Sequence, residues 1–132
     1  MTKVKILAID DIVEDCATLL IEGNIVECFV NSYPSKISVG ETHLAELTID
    51  YSDPVQIELS ATPDAPLEKN GKGFGYYLHG LLENDIFKTF IDFPDEDLHF
   101  DYPGLLGRYV KIKVDRINVN FLKPLKTVSA RC

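Results

Sequence analysis

Apolar and polar residues alternate along much of this chain, most clearly over residues 107–121, GRYVKIKVDRINVNF. Val110, Ile112 and Val114 share one parity, whereas Ile117, Val119 and Phe121 share the other. A period of two predicts a half-buried β-strand. The phase slips by one residue at Asp115-Arg116, which would turn the second apolar set to solvent unless a bulge or sharp bend intervened. A long strand that changes faces midway is one way in which small barrels turn corners.

The same reading places a first strand over residues 3–9, KVKILAI. In the next stretch Ile12, Val13, Cys16, Ala17, Leu19 and Leu20 fit helical spacing, but ATLLI-EGN-IVECFV also reads as a hairpin turning near Gly23-Asn24. The β-preferring Thr18 and Ile21 favour the hairpin. Tyr33-Pro34-Ser35 breaks the chain, because proline has no donor for a strand ladder. A strand then runs from about His43 to Tyr51, with Glu46, Thr48 and Asp50 on a wet face. In the following segment Val55, Ile57, Leu59 and Ala61 alternate with Gln56, Glu58 and Ser60.

Residues 62–72, TPDAPLEKNGK, read as a mobile hairpin loop with an Asn70-Gly71 turn signal. A strand resumes over residues 73–82, GFGYYLHGLL, whose glycines predict bending or close backbone approach. Asn84-Asp85 suits a two-residue turn into IFKTFIDF. That segment matches a strand face through Phe87, Ile91 and Phe93 and a helical stripe through Ile86, Phe87, Phe90 and Ile91. Residues 94–107 read as an acidic loop, and residues 122–132 as a partly frayed basic tail.

Together these elements predict an all-β fold with room for one short helix: a small, antiparallel, strongly bent barrel of six to eight strands. A five-stranded OB-like topology with an added N-terminal strand or hairpin fits best. At 132 residues the chain fits a single domain, 1–132, with a sizeable core.

Composition narrows the class of function. The N-terminus offers neither a secretory signal nor a span, and no stretch approaches eighteen apolar residues. Cys16, Cys28 and Cys132 are few and odd in number, which suits a reducing, cytoplasmic setting. The first two read as small buried hydrophobes near one another across the hairpin, and the last as exposed. Net charge is −8, unevenly placed: residues 1–66 hold three Lys against twelve acids, whereas residues 67–132 hold ten Lys or Arg against nine. Such a molecule is electrically dipolar and steers toward basic partners.

Ile9-Asp10-Asp11 resembles the acidic pair that follows the first strand of response-regulator receiver domains, and Lys123-Pro124 resembles their Lys-Pro. The resemblance implies alternating strands and helices, but residues 40–82 carry strand patterns with no helix between them, so the receiver fold is excluded. Asp10 and Asp11 then read as exposed turn acids.

Few residues suggest chemistry. Asn70-Gly71-Lys72-Gly73-Phe74-Gly75 has three alternating glycines but neither the following helix nor the Ser or Thr of a phosphate loop, so no nucleotide cofactor is implied. Asp95, Asp97, His99 and Asp101 recur at every second position, which on an extended backbone would aim four ligands one way; they are weak metal candidates against the commoner reading of a solvated loop. His79, beside Tyr76 and Tyr77, is the best cleft histidine, weighed against a partly exposed strand histidine. With Phe74 these residues could line a ligand pocket. Tyr109, Lys111 and Lys113 share the face opposite Val110, Ile112 and Val114, where aromatic and basic groups could stack bases and pair phosphates.

No catalytic signature stands out, and the reading leans toward a non-enzyme without a cofactor. The leading expectation is a protein-binding module with an acidic surface, such as an inhibitor or immunity-type partner of a basic protein. A ligand-binding barrel with an aromatic and histidine pocket is the alternative. Single-stranded nucleic-acid binding through the Arg108–Arg116 strand comes third, because net −8 repels a polyanion.

Overall fold

The computed structural model describes residues 2–10, 15–32, 37–62, 64–71, 73–95 and 97–125. Expectations for Asp11, the Tyr33-Pro34-Ser35 break, Lys72, Cys132 and the tail past residue 125 lie outside the described residues, as do the side chains of His99 and Lys123. The strands are β1 (Thr2–Ile9), β2 (Cys16–Ile21), β3 (Asn24–Ser32), β4 (Thr42–Tyr51), β5 (Ile57–Leu59), β6 (Leu67–Lys69), β7 (Tyr76–Glu83), β8 (Ile86–Lys88), β9 (Asp92–Pro94) and β10 (Tyr109–Pro124). A short helix α1 (Asp97–Asp101) and a 3-10 turn (Pro103–Leu105) interrupt the segment expected to be all loop. Among the described residues six strands have six or more residues, and four three-residue strands add to them.

Two compact units divide the chain: residues 1–48 with 117–132, and residues 49–116. Both β4 and β10 contribute to each. The first unit is a closed five-stranded barrel. In it β1 pairs β2 and β4, β2 pairs β3, β10 neighbours β4, and β10 closes the ring on β3 in parallel. Closure removes every free edge, which open sheets must otherwise protect. The small OB-like barrel is thus present, but its additional strands are not at the N-terminus as expected. They lie between the fourth and fifth barrel strands.

The β2–β3 hairpin turns at Glu22 and Gly23, one residue earlier than expected, with φ of 50° and 80°. Asn84 and Asp85 likewise take φ of 49° and 59° between β7 and β8. Two successive left-handed residues match the right-handed twist of the strands they join. The ambiguous segment 84–93 therefore resolves as turn and strand, with Phe87 opposite Phe93 in the β8–β9 ladder.

The phase slip in β10 coincides with the passage between units. Val110, Ile112 and Val114 are fully buried in the second, and Ile117, Val119 and Phe121 are buried in the first. The barrel interior also takes Val4, Ile6, Leu19, Ile21, Val26 and Cys28. Cys16 and Cys28 sit on neighbouring strands as buried thiols in no disulfide, and burial pushes the Cys28 thiol well above its ordinary value. Both thus act as small core hydrophobes.

In the second unit β10 is flanked by β5 and β7, and β7 is extended by β6 and by β8 with β9. Tyr76, Leu78 and Leu82 of β7 face the core with Val110, Ile112 and Val114. Phe90 and Phe93 meet edge to face there, 5.7 Å apart. The predicted apolar parity of the 55–61 segment is not buried: Leu59 is 51% exposed and Ala61 is exposed. Only Ile57–Leu59 pairs, at the margin of the sheet, so its apolar side gains little cover.

Candidate functional site

Strand alternation decides which candidate residues meet. Tyr77 and His79 on β7 stand opposite Lys113 and Lys111 on β10. Glu58 on β5 pairs with Lys111, and Glu68 on β6 pairs with Tyr77. Residues directly opposite in an antiparallel ladder project to the same side. One face of this unit therefore gathers Glu58, Glu68, Tyr77, His79, Lys111 and Lys113.

Above that face lies a concavity of about 320 Å³, lined by Val55, Gln56, Ile57, Glu58, Tyr77, Tyr102, Lys111 and Lys113. Lys111 Nζ lies 4.4 Å from the centre of the Tyr77 ring and 3.9 Å from Glu68 Oε1. Lys113 is half-buried and has no ion-pair partner among the described residues.

His79 is 3% exposed, so the expectation of a partly exposed histidine is overturned. Both ring nitrogens are engaged, Nδ1 at 2.7 Å from Ser60 Oγ and Nε2 at 3.0 Å from Glu68 Oε1. An ionised carboxylate can only accept, so Nε2 carries the proton of the neutral ring and Nδ1 accepts the Ser60 hydroxyl. Ser60 Oγ in turn accepts the Thr62 N–H at 3.1 Å. Glu68 lies below the usual carboxylate range, held first by the His79 hydrogen bond and then by Lys111.

His43 in the barrel unit offers a contrast. It is 1% exposed, its Nε2 lies 3.1 Å from Glu41 Oε1, and its ring meets Phe121 edge-on. Its Nδ1 has no partner among the described residues, so it holds no hydroxyl as His79 does.

The sequence reading put Tyr77 and His79 in one group, with Phe74 and Tyr76, and Lys111 and Lys113 in another, with Tyr109; the β7–β10 ladder brings the two pairs together. Tyr76 has the opposite parity and is buried in the core, with Lys69 Nζ 4.7 Å above its ring. Phe74 precedes β7 and does not line the concavity. Tyr109 shares the Lys111 face but stands 50% exposed opposite Leu81. Ser60, Glu68, Glu58 and Tyr102 were missed. The first and third carried a usable signal, the polar parity of residues 56–60; Glu68 and Tyr102 come from segments read as loop.

The metal candidates do not converge. Asp97 and Asp101 lie on α1, where alternate residues project in different directions. Asp95 is buried, with Oδ1 accepting the Leu98 N–H at 2.7 Å and Oδ2 accepting the Tyr51 hydroxyl. No cluster of three metal-ligating side chains occurs among the described residues.

Residues 1–122 match the family model described as Uncharacterised conserved protein UCP019853. The chain belongs to that family. The match spans residues 1–122, so the residues of the site described above all fall within the matched stretch. No curated protein and no solved structure matches the chain. No helix among the described residues is long and apolar enough to cross a membrane.

Proposed function

We propose that this UCP019853 chain is a binding module whose second unit takes up a small anionic ligand in the concavity of Tyr77, Tyr102, Lys111 and Lys113. The observation that carries this reading is Lys113, a half-buried residue that lines the concavity without an ion-pair partner among the described residues. A cation in a concave site with no counter-charge beside it attracts an anion, and the concave walls strengthen that attraction. Lys111 is already engaged by Glu68 and Tyr77, so Lys113 supplies the attraction. Tyr77 and Tyr102 add aromatic surface suited to a planar ligand. Glu58 and Glu68 on the same face disfavour a long polyanion such as single-stranded nucleic acid.

Thermal melts with inorganic phosphate, aryl carboxylates and mononucleotides test this. A melting temperature that climbs with the concentration of one of these anions supports the reading, provided that Lys113→Gln loses the response. A flat response to all three classes up to millimolar concentration sinks it.

A second reading, recognition of a basic protein, draws on charge. Residues 49–116 hold thirteen Asp or Glu against seven Lys or Arg, giving −6. Capture of a basic protein at low salt and its release at high salt would favour that reading. Two buried thiols in no disulfide suit a reducing compartment such as the cytoplasm.

A further inference from the structure

We propose that Ser60 is a nucleophile, activated by His79 and positioned through Glu68, toward acyl and phosphonyl donors. This goes beyond anion binding in the concavity and does not depend on it. A serine hydroxyl is a weak nucleophile until an adjacent base takes its proton, and the base must present an unprotonated nitrogen at hydrogen-bond distance. Here Glu68 accepts the Nε2 proton at 3.0 Å, which leaves the Nδ1 lone pair directed at Ser60 Oγ 2.7 Å away. A hydroxyl, an imidazole and a carboxylate in that connectivity are recognised by geometry and role, whichever ring nitrogen faces the serine.

Burial divides the roles. His79 is shielded from water at 3% exposure, so its proton exchange is directed to the two bonded partners. Ser60 is only half-buried, within reach of a reagent. Its own N–H is used by the Tyr109 carbonyl at 3.0 Å, which anchors the residue at the end of β5. Ser60 Oγ also accepts the Thr62 N–H at 3.1 Å, which fixes the position of the hydroxyl oxygen against the His79 ring. The buried histidine of the barrel unit has a carboxylate on one nitrogen and, among the described residues, no hydroxyl on the other, so burial of a histidine in this chain does not by itself require a serine beside it.

The step balances without a cofactor. Ser60 Oγ bonds to the carbonyl carbon of an ester, its proton passes to His79 Nδ1, and the bond to the leaving alkoxide or phenoxide breaks with its electron pair. The imidazolium proton goes to that leaving oxygen. Water then attacks the acyl-serine, gives a proton to Nδ1, and the proton returns to Ser60 Oγ as the carboxylic acid departs. With a fluorophosphonate the first bond forms to phosphorus, fluoride leaves, and the adduct persists.

Labelling of the full chain with an uncharged fluorophosphonate, followed by peptide mass spectrometry, tests the proposal. The expected adduct is on Ser60, absent from Ser60→Ala and slower by about a hundredfold or more in His79→Gln. Because His79→Gln can fail to fold, wild-type protein unfolded in urea serves as a second control and should label as slowly as that variant. Glu68→Gln should keep its fold by circular dichroism yet label Ser60 more slowly, and Glu68→Asp, which restores a carboxylate, should recover part of the rate. No adduct at Ser60, or one formed equally fast in urea, overturns the proposal. Neither result depends on whether an anion occupies the Lys113 concavity.

Discussion

Gly80 and Lys88 approach so closely across the β7–β8 pair that a Cβ built on Gly80 overlaps the Lys88 carbonyl oxygen, with the carbonyl carbon at 2.8 Å and Thr89 Cα at 2.9 Å. The obstacle is backbone, so no rotamer change relieves it. Gly80→Ala should therefore destabilise the second unit by about 3 kcal/mol, the upper part of the usual range for overpacking. Gly104→Ala is the control, since nothing lies within 4 Å of its Cβ position, and it should stay within about 0.5 kcal/mol of wild type. Urea denaturation of the two variants makes the comparison.

Neighbouring residues of β10 give a sharper test of the parity change. Had the alternation of Val110, Ile112 and Val114 continued unbroken, Arg116 would be the next buried residue. Instead Ile117 is fully buried, and Arg116 Nε donates to Asp50 at 2.9 Å with both side chains more than two-fifths exposed. Ile117→Ala should cost about 2–5 kcal/mol through lost burial and the cavity left behind. Arg116→Ala should cost about 1 kcal/mol or less, as exposed ion pairs do. Similar costs at both positions would refute the assignment of faces.

The fold was legible where alternation is strict, and β10 shows why. Its two apolar triads are unambiguous in sequence, and each proved to be core. What could not be read was that its slip marks the boundary between two units, because parity reports which side of a strand is buried and not what buries it. Short segments were less legible for a different reason. β6 and β9 have three residues each, too few for a period to register, and their partners supply most of what holds them. For the same reason Glu68 looked like part of a flexible loop, and the acid that orients His79 was invisible. His79 itself stood out by its glycine-rich setting, yet its burial depends on Ser60 and Glu68, nineteen and eleven residues away.

Asp95 illustrates a carboxylate with a structural duty in place of the metal site its spacing suggested. It accepts from the Leu98 N–H at the start of α1 and from the Tyr51 hydroxyl. Burial, then the Asp95 hydrogen bond, keep the Tyr51 phenol neutral well past its ordinary range. Tyr51→Phe should cost about 2 kcal/mol, because it leaves a buried carboxylate oxygen short of a donor. In a double-mutant cycle with Asp95→Ala the two losses should add to less than their sum, and simple additivity would show that the pair is not coupled.

Acid should weaken the second unit through Glu68. Its carboxyl sits below its ordinary value because the His79 N–H donates to it, with the Lys111 ammonium a smaller influence and Glu58 standing opposite Lys111 on the same face. A carboxyl whose folded value is depressed contributes stability that is fully present above the unfolded value, about pH 4.3, and is lost as pH falls through the folded one. Glu41 is lowered in the same way by His43 in the barrel unit, so the wild-type chain loses two such contributions on acidification. Glu68→Gln keeps an acceptor for the His79 N–H but has no charge to neutralise, so it retains only the Glu41 response. The difference in melting temperature between wild type and Glu68→Gln should therefore be largest near neutral pH and shrink as pH is lowered from about 5 toward 3. Melts at several pH values across that window measure it directly. A difference that stays constant across the window would mean that the carboxylate holds His79 by shape alone, and the charge on Glu68 would then have no part in ordering the Ser60–His79 pair.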